Sequence, residues 1–305
     1  MGTETTGRSR AGGRLLATLL LAALAIFALA MAACGDDNDS KSDTPAASSS
    51  QAAAGDADNA ITIEAFEMGF NVSGKLRPGT ATITLKNTGA VAHMMATMRV
   101  KDGVTLDQVK TAMQQGEDAL APLGADSDEE AVYGTPALVG AGQSSTVTTE
   151  NLKAGNYVIL CFVQDEDGMP HAAMGMVNMF TVEGDPVNTT PKSDGDITIS
   201  DDAITLPDGF SGKGTFKVTN SGQKPHTLSF AKLDDGTSLQ DYVGFVGGQF
   251  AAGKPIDGGG GVLMGGVDAL NPGQTAYVTL DLEAGHYGYV STEEGDQLGG
   301  EFDVS

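Results

Sequence analysis

One stretch of this 305-residue chain occurs twice. Asn87-Thr-Gly89 returns as Asn220-Ser-Gly222, His93 as His226, Asp102-Gly103 as Asp235-Gly236 and Thr105-Leu106 as Ser238-Leu239, all at one offset of 133 residues. Beyond a variable middle, Ala154-Gly155-Asn156-Tyr157 returns as Ala284-Gly285-His286-Tyr287, and Phe180-Thr-Val182 as Phe302-Asp-Val304. A repeat this long exceeds one unit of a solenoid, so the chain reads as two homologous domains in tandem.

Each copy is built of strands. Ala81, Ile83 and Leu85 alternate with Thr82, Thr84 and Lys86, a period of two that turns one face inward. Strand signals also cover Ile61–Ile63, about Val91 to Val100, Gln143–Thr149, Asn156–Val163 and Phe180–Val182. Thr105 and Gln108 form a capping box, with Leu106, Val109 and Met113 on one face, which predicts a short helix over 106–115. Residues 116–141 read as an insertion or long loop. The 42 glycines and the absence of tryptophan fit a turn-rich, all-β chain. Two Greek-key β-sandwich domains, each with a short helical insertion, are therefore expected at 59–184 and 196–305, with 185–195 as linker.

The N-terminus sets the compartment. Arg8, Arg10 and Arg14 precede an apolar run from Leu15 to Ala33, a secretory signal over residues 1–33. The run ends Met31-Ala32-Ala33-Cys34, which resembles a bacterial lipobox and implies a lipidated Cys34 on the extracytoplasmic face of the cell membrane. An uncleaved membrane anchor is the alternative reading. Residues 34–58 are polar and small and read as a flexible stalk. The net charge of −23 disfavours nucleic acid as a partner. The glycine run 258–261 lacks the Lys-Ser/Thr ending of a phosphate loop, which argues against nucleotide.

Cysteine is scarce: with Cys34 assigned to lipid, Cys161 stands alone in an oxidising compartment, without a disulfide partner. It is followed by His171 and Met176 on one loop between two strands, and His93 lies on an earlier strand. A thiolate, two imidazoles and a thioether are the donors copper favours as it cycles between oxidation states. Each residue also has a plainer reading: Cys161 as core, His93 as a loop hydrogen bonder, Met176 as filler. Met94, Met95, Met98, Met169, Met174 and Met179 crowd the same stretches, as core filling or as a store for reduced copper. The second copy is an internal control, with Ser291 in place of Cys161, and His226 and His286 lacking matching ligands.

The stretch from Asn87 to His93, with that from His171 to Val182, resembles the cupredoxin family, the small blue copper proteins of the plastocyanin and azurin type. The resemblance covers roughly residues 60–183. It implies one copper ion in the first domain, with His93, Cys161 and His171 as equatorial ligands and Met176 as the weak axial ligand. The second domain is then degenerate. Nine residues, Phe162 to Pro170, separate Cys161 from His171, more than in small cupredoxins and closer to the copper domains of nitrite reductases. The implied function is one-electron transfer with a redox partner protein, which Asp165, Glu166 and Asp167 could guide if it is cationic. Copper storage or delivery, and a metal-free surface-interaction module, are the alternatives. Neither Gly-x-Ser-x-Gly nor His-Glu-x-x-His occurs, and nothing orients Cys161 and His171 as a nucleophile and base, so the chain is expected not to be an enzyme.

Overall fold

The computed structural model describes residues 59–125, 134–293 and 296–305. The signal run, Cys34 and the stalk lie outside the described residues. Among the described residues, no helix is long and apolar enough to cross a membrane.

The first unit contains β1 (Ala60–Phe66), β2 (Gly69–Lys75), β3 (Gly79–Asn87), β4 (Ala96–Val100), α1 (Leu106–Gln115), a 3-10 turn (Glu117–Leu123), β5 (Ser144–Leu152), β6 (Gly155–Leu160) and β7 (Val177–Val182). The second contains β8 (Gly195–Ile199), β9 (Ile204–Thr205), β10 (Lys213–Asn220), β11 (His226–Leu233), α2 (Leu239–Ala252), β12 (Gly261–Leu270), β13 (Thr275–Asp281), β14 (Gly285–Glu293) and β15 (Asp296–Val304). β1 runs parallel to β3, as β8 does to β10, and the other strand pairs are antiparallel. Each unit is thus a two-sheet β-sandwich.

The halves share a sheet. One eight-stranded sheet runs β2-β1-β3-β5-β13-β10-β8-β9, and the remaining strands form sheets β4-β6-β7 and β12-β11-β14-β15. The join is β5 against β13, with Val147 opposite Val278. These two valines hold equivalent places, since Val147 also faces Ile83 and Val278 faces Phe216. Like strand therefore meets like strand, antiparallel about a local two-fold, the self-complementary contact of a symmetric dimer formed within one chain.

Repeated residues have repeated tasks. Tyr157 Oη donates to the Lys153 carbonyl at 2.7 Å and its ring stacks on Phe180 with centroids 5.2 Å apart. Tyr287 Oη donates to the Glu283 carbonyl at 3.0 Å and stacks on Phe302 at 5.7 Å. A tyrosine bonded to backbone a few residues upstream locks a sandwich corner. β6 is buried on both sides: Tyr157, Ile159 and then Cys161 enter the core between the sheets, while Val158 and Leu160 pack under α1. α1 begins with the expected capping box of Thr105 and Gln108.

Two local features differ from the sequence expectations, and a third adds to them. Val91–Met95 is not ladder strand; a single bridge between His93 and Val139 holds it. β2 was not foreseen, because Gly69, Ser73 and Gly74 mask its pattern; it follows a turn at Met68 with φ of 63°. The 185–195 segment is strapped down near its start, Thr80 N–H donating to the Val187 carbonyl at 2.7 Å and Val187 N–H to Pro78 at 2.8 Å. Gly79 permits that approach, since a side chain there would collide with the Val187 carbonyl.

Candidate metal centre

Asn87 builds the approach to His93. Its Nδ2 donates to the carbonyls of Val91, Val139 and Gly140 at 2.7, 3.1 and 3.0 Å, and its Oδ1 accepts from Gly89 N–H at 2.9 Å. The buried amide thereby fixes the turn and ties it to the 139–140 segment, so the Asn-x-Gly signature is a positioning device. His93 then exchanges two backbone hydrogen bonds with Val139, both 3.0 Å.

Cys161 continues the inward face of β6 and is fully buried. The nine-residue spacer after it closes on itself. Gln164 bridges to Pro170, His171 N–H donates to the Val163 carbonyl at 2.9 Å, and Ala172 N–H donates to the Cys161 carbonyl at 2.8 Å. Asp165 Oδ1 accepts from Asp167 and Met169 N–H, each at 2.9 Å, and holds the tip. The long spacer is a small hairpin that returns His171 to the side of Cys161. Its tip meets the second unit where a Cβ on Gly253 would fall 2.7 Å from Gly168 Cα. A tight turn from His171 to Met176, closed by Met176 N–H on the His171 carbonyl at 2.9 Å, leads into β7.

Cys161 Sγ lies 3.7 Å from His93 Nδ1 and 3.6 Å from His171 Nδ1. The two rings are 5.2 Å apart and tilted by 58°. Among the described residues this is the one group of three His, Cys, Asp or Glu with ligand atoms within 4.8 Å of each other, and all three residues are buried. Met176 is fully buried in the same apolar cluster as Cys161.

Burial pushes the Cys161 thiol up to about 12. It pulls His93 down to about 4, with the neighbouring His171 adding to the effect and Glu67 opposing it. His171 is lowered by burial too, against the pull of Asp165. Burial therefore disfavours the charged form of all three groups. A soft cation fits this donor set. Two imidazoles and a thiolate are the trigonal donor set that suits copper, and here the sulfur already lies within 3.7 Å of both nitrogens that would hold the ion.

The equivalent place in the second unit is filled differently. His226 Nδ1 pairs with Ser291 Oγ at 3.2 Å and His226 Nε2 with Asp201 Oδ1 at 3.1 Å. His286 is elsewhere, exposed between Asp303 at 2.8 Å and Glu301 at 3.2 Å. Two acids escaped the sequence reading: Asp201 and its first-unit counterpart Glu67. They accept from Gln223 and Ala90 N–H respectively, a pair that keeps the 133-residue offset, whereas the acids themselves are 134 apart. That one-residue slip hid them.

The paired sandwiches and the His–Cys–His cluster mark the chain as cupredoxin-like, with the cluster confined to the first unit. No protein-family model and no curated protein matches the chain. Solved structures do resemble it. An auracyanin from Roseiflexus castenholzii is 25% identical, over 42% of this chain and 99% of its own, at a TM-score of 0.28. A multicopper oxidase is 14% identical over 81% of this chain and 88% of its own, at 0.22. A copper-containing nitrite reductase from Thermus scotoductus is 14% identical over 81% and 62%, at 0.24. The last two are named as enzymes, which stands against the expectation that this chain is not one and leaves an enzymatic role open. That expectation leaned on missing hydrolase motifs, which bear on nucleophilic hydrolysis and not on redox chemistry at a metal.

Proposed function

We propose that the first unit binds one copper ion through His93 Nδ1, Cys161 Sγ and His171 Nδ1, with Met176 as a weak fourth ligand, and passes single electrons. The observation that carries this reading is the lone buried thiol with two imidazole Nδ1 atoms converging on it at 3.6 and 3.7 Å. When bound, copper supplies the one-electron couple. Asn87 and the Cys161–His171 hairpin hold the donor atoms in place so that little has to move between oxidation states. The apolar cluster of Met95, Val139, Ile159 and Val163 around Cys161 excludes water from the thiol.

Copper titration of the full chain tests the proposal. One equivalent should produce an intense visible band from thiolate-to-copper charge transfer. A colourless protein holding reduced copper tightly would instead mark a store, and no uptake would leave an interaction module.

Two further parts of the proposal concern place and partner. The chain is exported and tethered through a lipid on Cys34; Cys34→Ser should move it from the membrane to the soluble fraction. A cationic redox protein docks by way of Asp165, Glu166 and Asp167, so their rate of electron exchange should fall with ionic strength. Neither nucleic acid nor nucleotide is a partner in this reading.

A further inference from the structure

His93 has two ring nitrogens, and the proposed site uses only Nδ1. Nε2 is buried and has no hydrogen-bond partner, a condition it shares only with Thr135 Oγ1 among the described side chains. A buried imidazole N–H without an acceptor carries a desolvation cost, so such an atom in a folded core points to a partner.

The second unit shows what that partner is. There the same nitrogen, His226 Nε2, meets Asp201 Oδ1 at 3.1 Å. Asp201 is held in place by Gln223 N–H, 2.9 Å from either carboxylate oxygen. In the first unit Ala90 N–H anchors Glu67 Oε1 in the corresponding way. Between Glu67 and His93 stands Gly89. A Cβ built there would fall 2.9 Å from His93 Nε2, 3.1 Å from Glu67 Oε1 and 3.3 Å from Asn87 Oδ1. The missing side chain leaves a small polar gap bordered by the orphan nitrogen and the carboxylate.

We infer that Glu67 is the positioning residue for His93, its carboxylate accepting the Nε2–H across the Gly89 gap while Nδ1 faces the metal. The inference rests on the copper reading above. A carboxylate behind a ligand imidazole fixes its tautomer and ring angle and raises its basicity, which favours the more highly charged metal state. The second unit has this acid–imidazole pair without the cysteine, so the pair goes with the scaffold and the first unit would use it for tuning.

The test uses the full chain. Glu67→Gln retains an oxygen for Ala90 N–H but removes the charge. Its copper(II) affinity should fall about tenfold relative to copper(I), within the range for outer partners of metal ligands. That ratio corresponds to a rise in reduction potential of about 59 mV for a one-electron couple. Glu67→Asp should restore part of the difference, and Gly89→Ala, which fills the gap, should reproduce the Glu67→Gln result. In metal-free protein, nitrogen NMR of the His93 ring should show a proton on Nε2, with a signal that moves in Glu67→Leu. Unchanged affinity ratios in both Glu67→Gln and Gly89→Ala, with thermal stability alone affected, would reduce Glu67 to a turn anchor. If the wild type takes up no copper, the copper reading fails by itself, and the metal-free His93 signal still decides whether Glu67 holds Nε2.

Discussion

The two halves of this molecule hold a histidine in the same place by the same means and do opposite things with it. Asn87 and Asn220 each tie an Asn-x-Gly turn to a neighbouring segment, Asn220 through the carbonyls of Lys224 and Leu270, both 2.7 Å away. Tyr157 and Tyr287 lock equivalent corners. The delivered imidazoles then diverge. His226 is satisfied at both nitrogens, by Ser291 and Asp201. His93 faces a thiol and a second imidazole whose charged forms burial suppresses, with its other nitrogen unpaired. One site is closed by ordinary hydrogen bonds; the other is a concentration of soft donors that a cation would complete. The second unit has the same scaffold without those donors.

The largest expected effect follows from that contrast. Cys161→Ser gives the first unit the residue that the second already has at this place. The variant should keep its metal-free fold and melting temperature nearly unchanged, since a serine beside a histidine is accommodated there. Copper affinity should fall by more than about 100-fold, beyond what loss of an outer partner costs. Equilibrium dialysis against a copper chelator, with circular dichroism of the metal-free protein, measures both. A variant that unfolds would break the equivalence of the two sites.

Next in size is the pH response of the metal-free centre. His93 falls from 6.5 to about 4 on folding, so between those values the unfolded chain binds more protons than the folded one. Stability should therefore decline as pH drops through that window, by up to about 3 kcal/mol, since each tenfold difference in proton affinity is worth about 1.4 kcal/mol. His171, lowered by the same burial, adds in the same direction. Urea titrations at pH 7 and pH 4, compared with His93→Gln, should find most of the loss missing in the variant. Copper uptake has its own slope. With the thiol pushed to about 12, binding displaces one proton, and affinity should rise about tenfold per pH unit above pH 6.5.

Much of this contrast was legible in the chain itself. The 133-residue offset exposed both copies, and the swap of Cys161 for Ser291 marked which copy holds the donors. The alternation Tyr157, Ile159, Cys161 placed the thiol on the inward face. What escaped notice depends on geometry outside the strand pattern. β2 is broken by glycines, and its pairing with β1 is set by a turn at Met68 that no periodicity reveals. The spacer looked like a gap in the ligand pattern, because a hairpin that closes on itself has no hydrophobic signature. The pairing of β5 with β13 is invisible because a strand's burial pattern does not name its neighbour: β5 alternates, and β13 only breaks alternation at Ala276–Val278.

Gly253 tests whether the spacer hairpin leans on the second unit. It ends α2 in the left-handed conformation at φ 61°, ψ 46°, with Gly168 close by. Gly253→Ala should cost about 2–3 kcal/mol, from the left-handed penalty of about 1–2 kcal/mol for a Cβ and from crowding at Gly168. If the hairpin is supported from this side, copper should also dissociate faster from the variant. A purely additive stability loss, with copper release unchanged, would mean that the first unit holds its own ligand loop.

The smallest change addresses the closed site. Ser291 is buried and its hydroxyl is the partner of His226 Nδ1 at 3.2 Å. Ser291→Ala leaves that nitrogen without a partner while Asp201 still holds the other side of the ring. The cost should be about 1–2 kcal/mol, the penalty for one buried polar atom left unpaired and little for the lost oxygen itself. Ser291→Cys sharpens the comparison, since it restores the His–Cys pair of the first unit without the second imidazole or the thioether. It should yield no charge-transfer band on addition of copper, because a soft donor pair without His171 and Met176 counterparts leaves the ion two ligands short. A coloured Ser291→Cys protein would show that the scaffold, rather than the loop from Cys161 to Met176, carries the greater part of the site.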